Sequence, residues 1–252
     1  MIDIAFLRSG SKGNATLLSD GKTLLLVDMG VAKSVLQEGC ALFGKSIEDI
    51  DAVFFTHNHS DHIKGARYLD SRTPRYAPFP NIDGLPNLPF GARDKMAVGN
   101  IQVEALSASH DAPGAINFLF QVDGEKLAYI TDTGKIKRDT LKKIANCDYY
   151  LMEANYDVDM ETHSGRSSLL ISRVLGEKGH LSNVASAQYF FSLYGEKTKA
   201  VYLGHISDDC NTHELALQAY AERAYDLGVV CDDIQIKCTS QSKIVLGGDW
   251  SL

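Results

Sequence analysis

One short string of ligand-type side chains constrains this chain more than any other feature. Directly after a short apolar run, residues 56–62 read T-H-N-H-S-D-H, which places four histidine or aspartate side chains within six residues. His57 and His59, two positions apart, can project together from a strand end, while Asp61 and His62 can face the other side of the same loop. This layout suits two metal ions close together, each with nitrogen and oxygen ligands. A polar surface loop that contains several histidines by chance is the competing interpretation.

Four further apolar runs end in a potential metal ligand or its helper. They are V-E-A-L-S-A-S before His110, L-A-Y-I-T before Asp132, Y-Y-L-M before Glu153 and A-V-Y-L-G before His205. In open α/β sheets, ligands bind beyond the carboxyl ends of the strands. Because chance would scatter such residues through loops and helix faces, we expect these strand ends to build one site.

Composition places the chain among ordinary globular proteins. It has 252 residues, 44% of them hydrophobic, with 25 Lys+Arg against 32 Asp+Glu and a net charge of −7. No apolar run approaches the ~20 residues of a membrane span, and the first residues lack the features of a signal peptide. The five cysteines lie far apart without a C-x-x-C pair, which predicts free thiols and a cytoplasmic location. The acidic balance argues mildly against a general polyanion binder.

Strand and helix patterns alternate along the chain, which predicts an α/β class and a single domain over residues 1–252. The predicted helices are Ala32–Phe43, Ile63–Leu69, Arg138–Ala145, Ser182–Leu193 and Glu214–Leu227. We expect irregular structure over residues 71–94, which hold all but one of the six prolines. A faint internal echo relates residues 21–30 to residues 124–134: both read as a turn, an apolar strand, an aspartate and a glycine.

The ligand pattern resembles the metallo-β-lactamase fold superfamily from about residue 2 to at least residue 215. The resemblance implies a four-layer αβ/βα sandwich and two divalent metal ions, zinc or manganese, with iron also possible. It assigns His57, His59, His110 and Asp132 to the first ion, and Asp61, His62, Asp132 and His205 to the second. Asp132 stands where common β-lactamases carry cysteine, so lactam hydrolysis is not expected.

Several motifs narrow the resemblance to one branch. F-L-R-S-G-S-K-G-N-A-T near the start, L-M-E-A-N-Y-D, G-H-L-S-N and H-I-S-D-D-C-N-T-H resemble the bacterial YycJ/WalJ (VicX) family closely, and the tRNA-processing RNase Z enzymes in part. That resemblance implies a 5′→3′ exonuclease that acts on duplex DNA ends through two-metal activation of a bridging water, with a link to DNA repair. It implies no membrane partner and leaves the oligomeric state open.

The resemblance also implies catalytic roles. His180 is expected to protonate the leaving 3′ oxygen, Glu153 to orient that imidazole, and Asp61 to accept a hydrogen bond from the attacking water while it binds metal. Asp28 is expected to be a turn residue or to support the ligands. The expected substrate-binding residues are Ser9, Ser11, Asn14, Arg173 and Ser182, and Ser182 is also a candidate helix N-cap.

Two other classes of function remain open at this stage. A small-molecule hydrolase of the same fold, acting on a thioester, a lactone or a cyclic phosphodiester, is favoured by the net charge and by the absence of a basic stripe. A binding or regulatory protein with a decayed site is the third class, but the complete set of seven ligand residues argues against it. His163 and His213 fall outside the motifs and are expected on the surface, and Trp250 is expected to pack rather than to stack on a base.

Overall fold

The computed structural model describes residues 1–82, 84–231 and 233–250. Its strands, numbered in chain order, are β1 (Asp3–Arg8), β2 (Ala15–Ser19), β3 (Leu24–Val27), β4 (Ala52–Phe54), β5 (Arg75–Ala77), β6 (Asn81–Ile82), β7 (Leu85–Pro86), β8 (Leu88–Pro89), β9 (Lys95–Val98), β10 (Ile101–Ser107), β11 (Ile116–Val122), β12 (Glu125–Ile130), β13 (Tyr149–Glu153), β14 (Ala200–Gly204), β15 (Gln235–Cys238) and β16 (Val245–Gly248). Its α-helices are α1 (Lys33–Leu42), α2 (Ser60–Ile63), α3 (Arg138–Lys143), α4 (Val158–Thr162), α5 (Ser168–Leu175), α6 (Asn183–Leu193) and α7 (His213–Leu227).

The chain divides into two compact units. Unit 1 comprises Met1–Ser107, Ala112–Glu125 and Ser240–Leu252, and unit 2 comprises Ala108–Asp111 and Lys126–Thr239. Among the described residues, no helix is both long and apolar enough to cross a lipid bilayer. The prediction of a single domain over residues 1–252 stays a prediction.

Unit 1 is built on a seven-stranded mixed sheet in the order β16-β1-β2-β3-β4-β5-β8. The pairs from β16 to β3 are antiparallel, and those from β3 to β8 are parallel. Every residue of β2, β3 and β4 is buried, as expected for strands covered on both faces. The register between β1 and β2 shifts between Phe6 and Arg8, where the chain enters the glycine-rich turn of residues 9–14. Unit 1 also contains the antiparallel neighbours β9, β10 and β11 and the short pair β6–β7.

Unit 2 holds four parallel strands in the order β12-β13-β14-β15. Because the strands are parallel, their carboxyl ends lie at one edge, and Asp132, Glu153 and His205 all lie at that edge. Helices α6 and α7 pack together through buried aromatic side chains, with the rings of Phe190 and Tyr220 5.6 Å apart. Helix α6 begins after Ser182, whose hydroxyl accepts a hydrogen bond from the Ala185 amide.

Most predicted elements appear close to their expected bounds, and the exceptions have local causes. The predicted helix Ile63–Leu69 is wrong: α2 ends at Ile63, and only a 3-10 turn, Ala66–Tyr68, follows. Gly65 separates the two, and its amide donates to the Met29 carbonyl oxygen over 2.8 Å, so the helical hydrogen-bond pattern is interrupted there. The irregular region 71–94 contains the short strands β5 to β8, and α4 and α5 were not predicted.

Trp250 packs as expected. Its ring lies 4.8 Å from that of Phe43, and its indole nitrogen donates to the Ile4 carbonyl oxygen over 2.9 Å. His163 is exposed at the end of α4, and His213 is exposed at the start of α7, so both predicted surface positions are confirmed.

Candidate metal centre

The unit 1 cluster consists of His57, His59, Asp61 and His62, which follow β4. The ring centroids of His57 and His59 are 4.6 Å apart, and those of His57 and His62 are 4.1 Å apart. His57 and His62 are buried, whereas His59 and Asp61 are half-buried. The string that dominates the sequence therefore folds into one tight group of nitrogen and oxygen donors.

Asp28 fixes the orientation of two of these imidazoles. Its Oδ2 accepts from Nδ1 of His62 over 2.8 Å and from the Thr56 hydroxyl over 2.9 Å. Because the Thr56 hydroxyl proton is given to Asp28, its oxygen can accept from Nδ1 of His57, 3.0 Å away. Both imidazoles then carry their lone pair on Nε2, the nitrogen through which they would bind a metal ion. Burial raises the pKa of Asp28, although the charge of His62 and the hydrogen bonds from His62 and Thr56 act against this rise.

The Asn14 side chain touches the same cluster. Its Oδ1 accepts from the Gly10 amide over 2.8 Å, and since a backbone N–H can only donate, this contact fixes the amide orientation. Its Nδ2 lies 3.1 Å from Oδ2 of Asp61 and 2.9 Å from Nε2 of His62. Asn14 therefore donates to the Asp61 carboxylate and contacts the nitrogen through which His62 would bind a metal ion. Of the other residues predicted in this turn, Ser9 is buried and Ser11 is exposed.

Close backbone packing holds the loop that carries Asp61. The Asn14 amide donates to the Asp61 carbonyl oxygen over 2.8 Å, and Gly30 lies against the same oxygen. A Cβ at Gly30 would be 1.6 Å from that oxygen, so no other residue fits at this position without a backbone shift. Two residues of the D-M-G sequence that follows β3 therefore support the site: Asp28 orients the imidazoles, and Gly30 lets the loop with Asp61 pack closely.

The unit 2 cluster consists of His110, Asp132, His180 and His205. The Oδ1 atom of Asp132 lies 4.0 Å from Nε2 of His110, 3.7 Å from Nδ1 of His180 and 3.5 Å from Nε2 of His205. One donor atom from each of Asp132, Glu153, His180 and His205 lies within 4.8 Å of all the others. The residues predicted at strand ends are thus brought together at the carboxyl edge of the unit 2 strands.

His110 is held in the form that binds a metal. Its Nδ1 lies 3.3 Å from the Gly179 carbonyl oxygen, which can only accept, so Nδ1 carries the proton and Nε2 the lone pair. Burial lowers the pKa of His110 below its ordinary value, against the opposing charge of Asp132. The neutral imidazole is the protonation state in which histidine ligates metal.

Glu153 is fully buried and connects two histidines. Its Oε1 accepts from Nδ1 of His180 over 2.7 Å and lies 3.3 Å from Nδ1 of His205, while its Oε2 accepts from the Thr133 and Leu181 amides. Burial alone raises the pKa of Glu153, but the charge and hydrogen bond of His180 and the hydrogen bond of His205 outweigh it, so the pKa lies below its usual value. Glu153 therefore stays ionised and orients His180, and it contacts His205, whose Nδ1 also lies 3.0 Å from the Asn155 amide nitrogen.

The other predicted substrate residues in unit 2 are engaged within the fold. Arg173, in α5, pairs with Asp111, whose other carboxylate oxygen lies 3.4 Å from Nε2 of His110. Ser182 is buried as the N-cap of α6. Their substrate-binding roles stay predictions, and the contacts seen here give each residue a structural role.

Three strand-end residues share an uncommon backbone conformation. Asp28, Asp132 and His205 follow β3, β12 and β14, and their φ angles are +58°, +48° and +55°. Few residues other than glycine adopt positive φ, and such strained residues cluster at functional sites. The internal echo in the sequence corresponds to this geometry, because Asp28 and Asp132 are the aspartates of its two copies. The sequence alone did not decide between a turn role and a supporting role for Asp28. The similarity between residues 21–30 and 124–134 was the one sequence feature that pointed to the supporting role, because it pairs Asp28 with Asp132.

The donor sets fit divalent metal ions. Each cluster combines imidazole nitrogens with carboxylate oxygens, and hydrogen bonds at Nδ1 of His57, His62 and His110 place the lone pair of each ring on Nε2. Such mixed nitrogen and oxygen sets suit zinc, manganese or iron. In the tautomer of His205 that donates from Nδ1 to Glu153, Nε2 is the ligand atom in the same way.

Comparison with known proteins agrees with this geometry. Residues 25–206 match the beta-lactamase superfamily domain. The chain is 33% identical over 246 residues to the exodeoxyribonuclease WalJ of Streptococcus pneumoniae, across 90% of this chain and 91% of WalJ. It is 32% identical over 247 residues to the exodeoxyribonuclease YycJ of Bacillus anthracis, across 90% of this chain and 92% of YycJ.

Structural comparison identifies the fold. The metallo-beta-lactamase fold protein YhfI of Bacillus subtilis superimposes with a TM-score of 0.72 and 15% identity, across 97% of this chain and 99% of YhfI. The predicted metallo-β-lactamase fold is confirmed, and with it the expectation of a metal-dependent hydrolase. The chain belongs to the beta-lactamase superfamily and, within it, to the family of the WalJ and YycJ exodeoxyribonucleases.

Proposed function

We propose that this chain is a cytoplasmic exonuclease that digests duplex DNA from its 5′ ends with two divalent metal ions, zinc or manganese. The activity named for the WalJ and YycJ relatives supports the reaction and the substrate class. The mixed nitrogen and oxygen donors of both clusters support the metals, and five free cysteines support a reducing compartment.

The observation that carries the proposal is the hydrogen-bonded pair of His180 and Glu153. Hydrolysis of a nucleic-acid phosphodiester expels a sugar alkoxide, which is a poor leaving group and needs a proton. A thioester expels a thiolate, which has no such need. A buried carboxylate that holds a half-buried imidazole beside Asp132 therefore favours a phosphodiester substrate over a thioester.

The roles of the side chains follow from their contacts. Nδ1 of His180 is bonded to Glu153, so Nε2 is the atom that gives its proton to the leaving 3′ oxygen. Asp61, held by Asn14, accepts a hydrogen bond from the attacking water and orients it. Divalent metal ions, when bound, would lower the pKa of that water and offset the negative charge that grows on the phosphate.

The assignment of ligands to two ions, with Asp132 shared, rests on the family resemblance and stays a prediction. Metal analysis of purified variants tests it. His59→Ala is expected to lose the first metal equivalent and His205→Ala the second, while Lys197→Gln keeps both. Equal loss of both metals from each variant would contradict separate ligand sets.

The activity is tested by a time course on end-labelled duplex DNA, with and without a 5′-phosphate, in manganese and then in zinc. We expect stepwise shortening from the 5′ ends and no digestion by His59→Ala. RNA and a cyclic nucleotide are run in parallel. If DNA survives while a cyclic phosphodiester, a thioester or a lactone is hydrolysed, the exonuclease proposal is wrong and the chain is a small-molecule hydrolase.

A further inference from the structure

We infer that a basic surface on residues 135–143 of unit 2, with Lys178 beside it, binds the phosphate backbone of the DNA substrate. This inference rests on the proposed function and names the part of the chain that holds the nucleic acid. The net charge of the chain is −7, so the protein as a whole repels a polyanion such as DNA. Binding of DNA therefore needs a local region of positive charge.

The segment has a net positive charge, whereas the chain as a whole is negative. Five of its nine residues are basic, namely Lys135, Lys137, Arg138, Lys142 and Lys143, and Asp139 is its one acid. Within the part of the chain that the structure describes, the side chains of Lys137, Arg138 and Lys142 are exposed and form no ion pair with an acid. Their charge is therefore available to a ligand.

The packing of the segment turns the charges outward. Ile136 before α3, Thr140 within it and Ile144 at its end are buried, and they anchor the segment on unit 2. Lys137, Arg138 and Lys142 lie between these anchors and are exposed. A segment held by three buried side chains presents its cations in a fixed arrangement, which reduces the conformational entropy lost when phosphates bind.

The basic surface is continuous with the unit 2 cluster. The segment begins three residues after Asp132, and the intervening Thr133 amide donates to Oε2 of Glu153 over 2.9 Å. Gly134 packs against residues 176–177: a Cβ there would lie 2.3 Å from the Gly176 carbonyl oxygen. That contact places Gly134 against the residues that directly precede the exposed Lys178, which lies two residues before His180. The backbone contacts that hold Glu153 and the residues before His180 therefore also hold the start of the basic segment, where Lys135 pairs with Glu177 over 3.1 Å.

This arrangement favours the backbone of a nucleic acid over a small anion. Exposed lysines and arginines spread along nine residues match a repeating line of phosphates, whereas a single phosphate needs one converging pocket. No aromatic side chain lies in the segment, so base stacking is not its role. The expected contacts are independent of base sequence and sensitive to salt.

The triple variant Lys137→Gln, Arg138→Gln, Lys142→Gln tests the inference. Its matched control is Lys197→Gln, Lys199→Gln, Lys237→Gln, which removes three exposed positive charges from other parts of unit 2. Lys197 and Lys199 precede β14 and so lie toward the opposite end of the parallel strands from Asp132 and His205. The readout is kcat/KM on duplex DNA from 50 to 200 mM salt, beside turnover of the p-nitrophenyl ester of thymidine 5′-phosphate.

We expect the triple variant to lower kcat/KM on DNA about tenfold or more at low salt and to flatten the slope of log kcat/KM against log salt by about 2 to 3, near 0.9 for each lost phosphate contact. Turnover of the small ester should not change, and the control should match the wild type on both substrates. If the wild type digests DNA and the triple variant has the same salt slope, this inference is wrong and the proposed function stands. A wild type that digests no DNA would overturn both.

Discussion

Oε1 of Glu153 lies 2.7 Å from Nδ1 of His180 and 3.3 Å from Nδ1 of His205. The other carboxylate oxygen accepts from two backbone amides, those of Thr133 and Leu181. His180 and these two amides all donate to the buried side chain, and an ionised carboxylate accepts from all three. Glu153 thus sets the orientation of the candidate acid and also contacts a predicted metal ligand, which Asn155 holds from another side.

The substitution Glu153→Gln should therefore disrupt the site although the two side chains have nearly the same shape. The amide nitrogen that replaces one carboxylate oxygen is a donor and would face donors, so we expect His180 to lose its fixed orientation. We expect kcat on DNA to fall by about 10²-fold or more, the usual contribution of a positioned acid. Turnover of a p-nitrophenyl phosphodiester should fall much less, because that leaving group needs no proton.

Metal content separates this effect from damage to His205. Glu153→Gln and His180→Ala are compared with the wild type by metal analysis and by activity on both substrates. If both variants keep their metal and lose only DNA hydrolysis, Glu153 acts through His180. Equal losses on DNA and on the p-nitrophenyl ester would show that neither residue is part of proton transfer to the leaving oxygen.

Glu153 should also make the stability of the metal-free protein depend on pH. The pKa of Glu153 in the folded protein lies below the ordinary value of 4.5. A carboxyl group with a lowered pKa contributes stability that is complete above its unfolded pKa and is lost as the pH falls through the folded one. We expect the free energy of unfolding, measured by urea titration in a chelator, to decline below about pH 4.5 more steeply for the wild type than for Glu153→Gln. Parallel curves would contradict this assignment.

Asp28 should control metal affinity without being assigned as a ligand. Asp28→Asn keeps the size of the side chain but removes one of the acceptors that fix His62 and Thr56. Loss of such a supporting contact typically weakens metal binding by about 10- to 100-fold. Competition with a chromophoric chelator measures the change, with Asp20→Asn on the turn before β3 as the control. An unchanged affinity would show that the imidazoles of unit 1 are oriented without Asp28.

The sequence predicted most of the site because metal ligands follow apolar strands in a recognisable order. His57, His59 and His62 came from one string, and Asp132, Glu153 and His205 came from the shared strand-end pattern. The support provided by Asp28, Thr56 and Asn14 was harder to predict, because it depends on contacts between strands that are distant in sequence. Asn14 and Ser182 resembled phosphate donors, yet their side chains already bond to Asp61 and to the start of α6.

Fold elements were missed where local signals were weak or were interrupted by packing. Helices α4 and α5 are short, and each begins at a side-chain cap, on Asp157 and on Ser167, within a segment of mixed polarity. The predicted helix over residues 63–69 is wrong because the Gly65 amide bonds to Met29, a residue more than thirty positions away in the sequence. The basic segment 135–143 was not recognised as a surface because the buried Ile136 and Thr140 divide it in the sequence.

Gly30 should be needed to hold the loop that carries Asp61 in the unit 1 cluster. A Cβ at this position would lie 1.6 Å from the Asp61 carbonyl oxygen and 2.8 Å from the Asn14 amide nitrogen, so Gly30→Ala must push the Asp61–His62 loop away. We expect metal affinity to fall at least tenfold, as for loss of a supporting contact, and unfolding to cost ~1–3 kcal/mol less, as for other overpacked sites. Gly91→Ala is the control, because its Cβ would meet no atom closer than 4.0 Å. Equal metal affinity in the two variants, measured by chelator competition, would mean that the loop yields without cost and that Gly30 does not position Asp61.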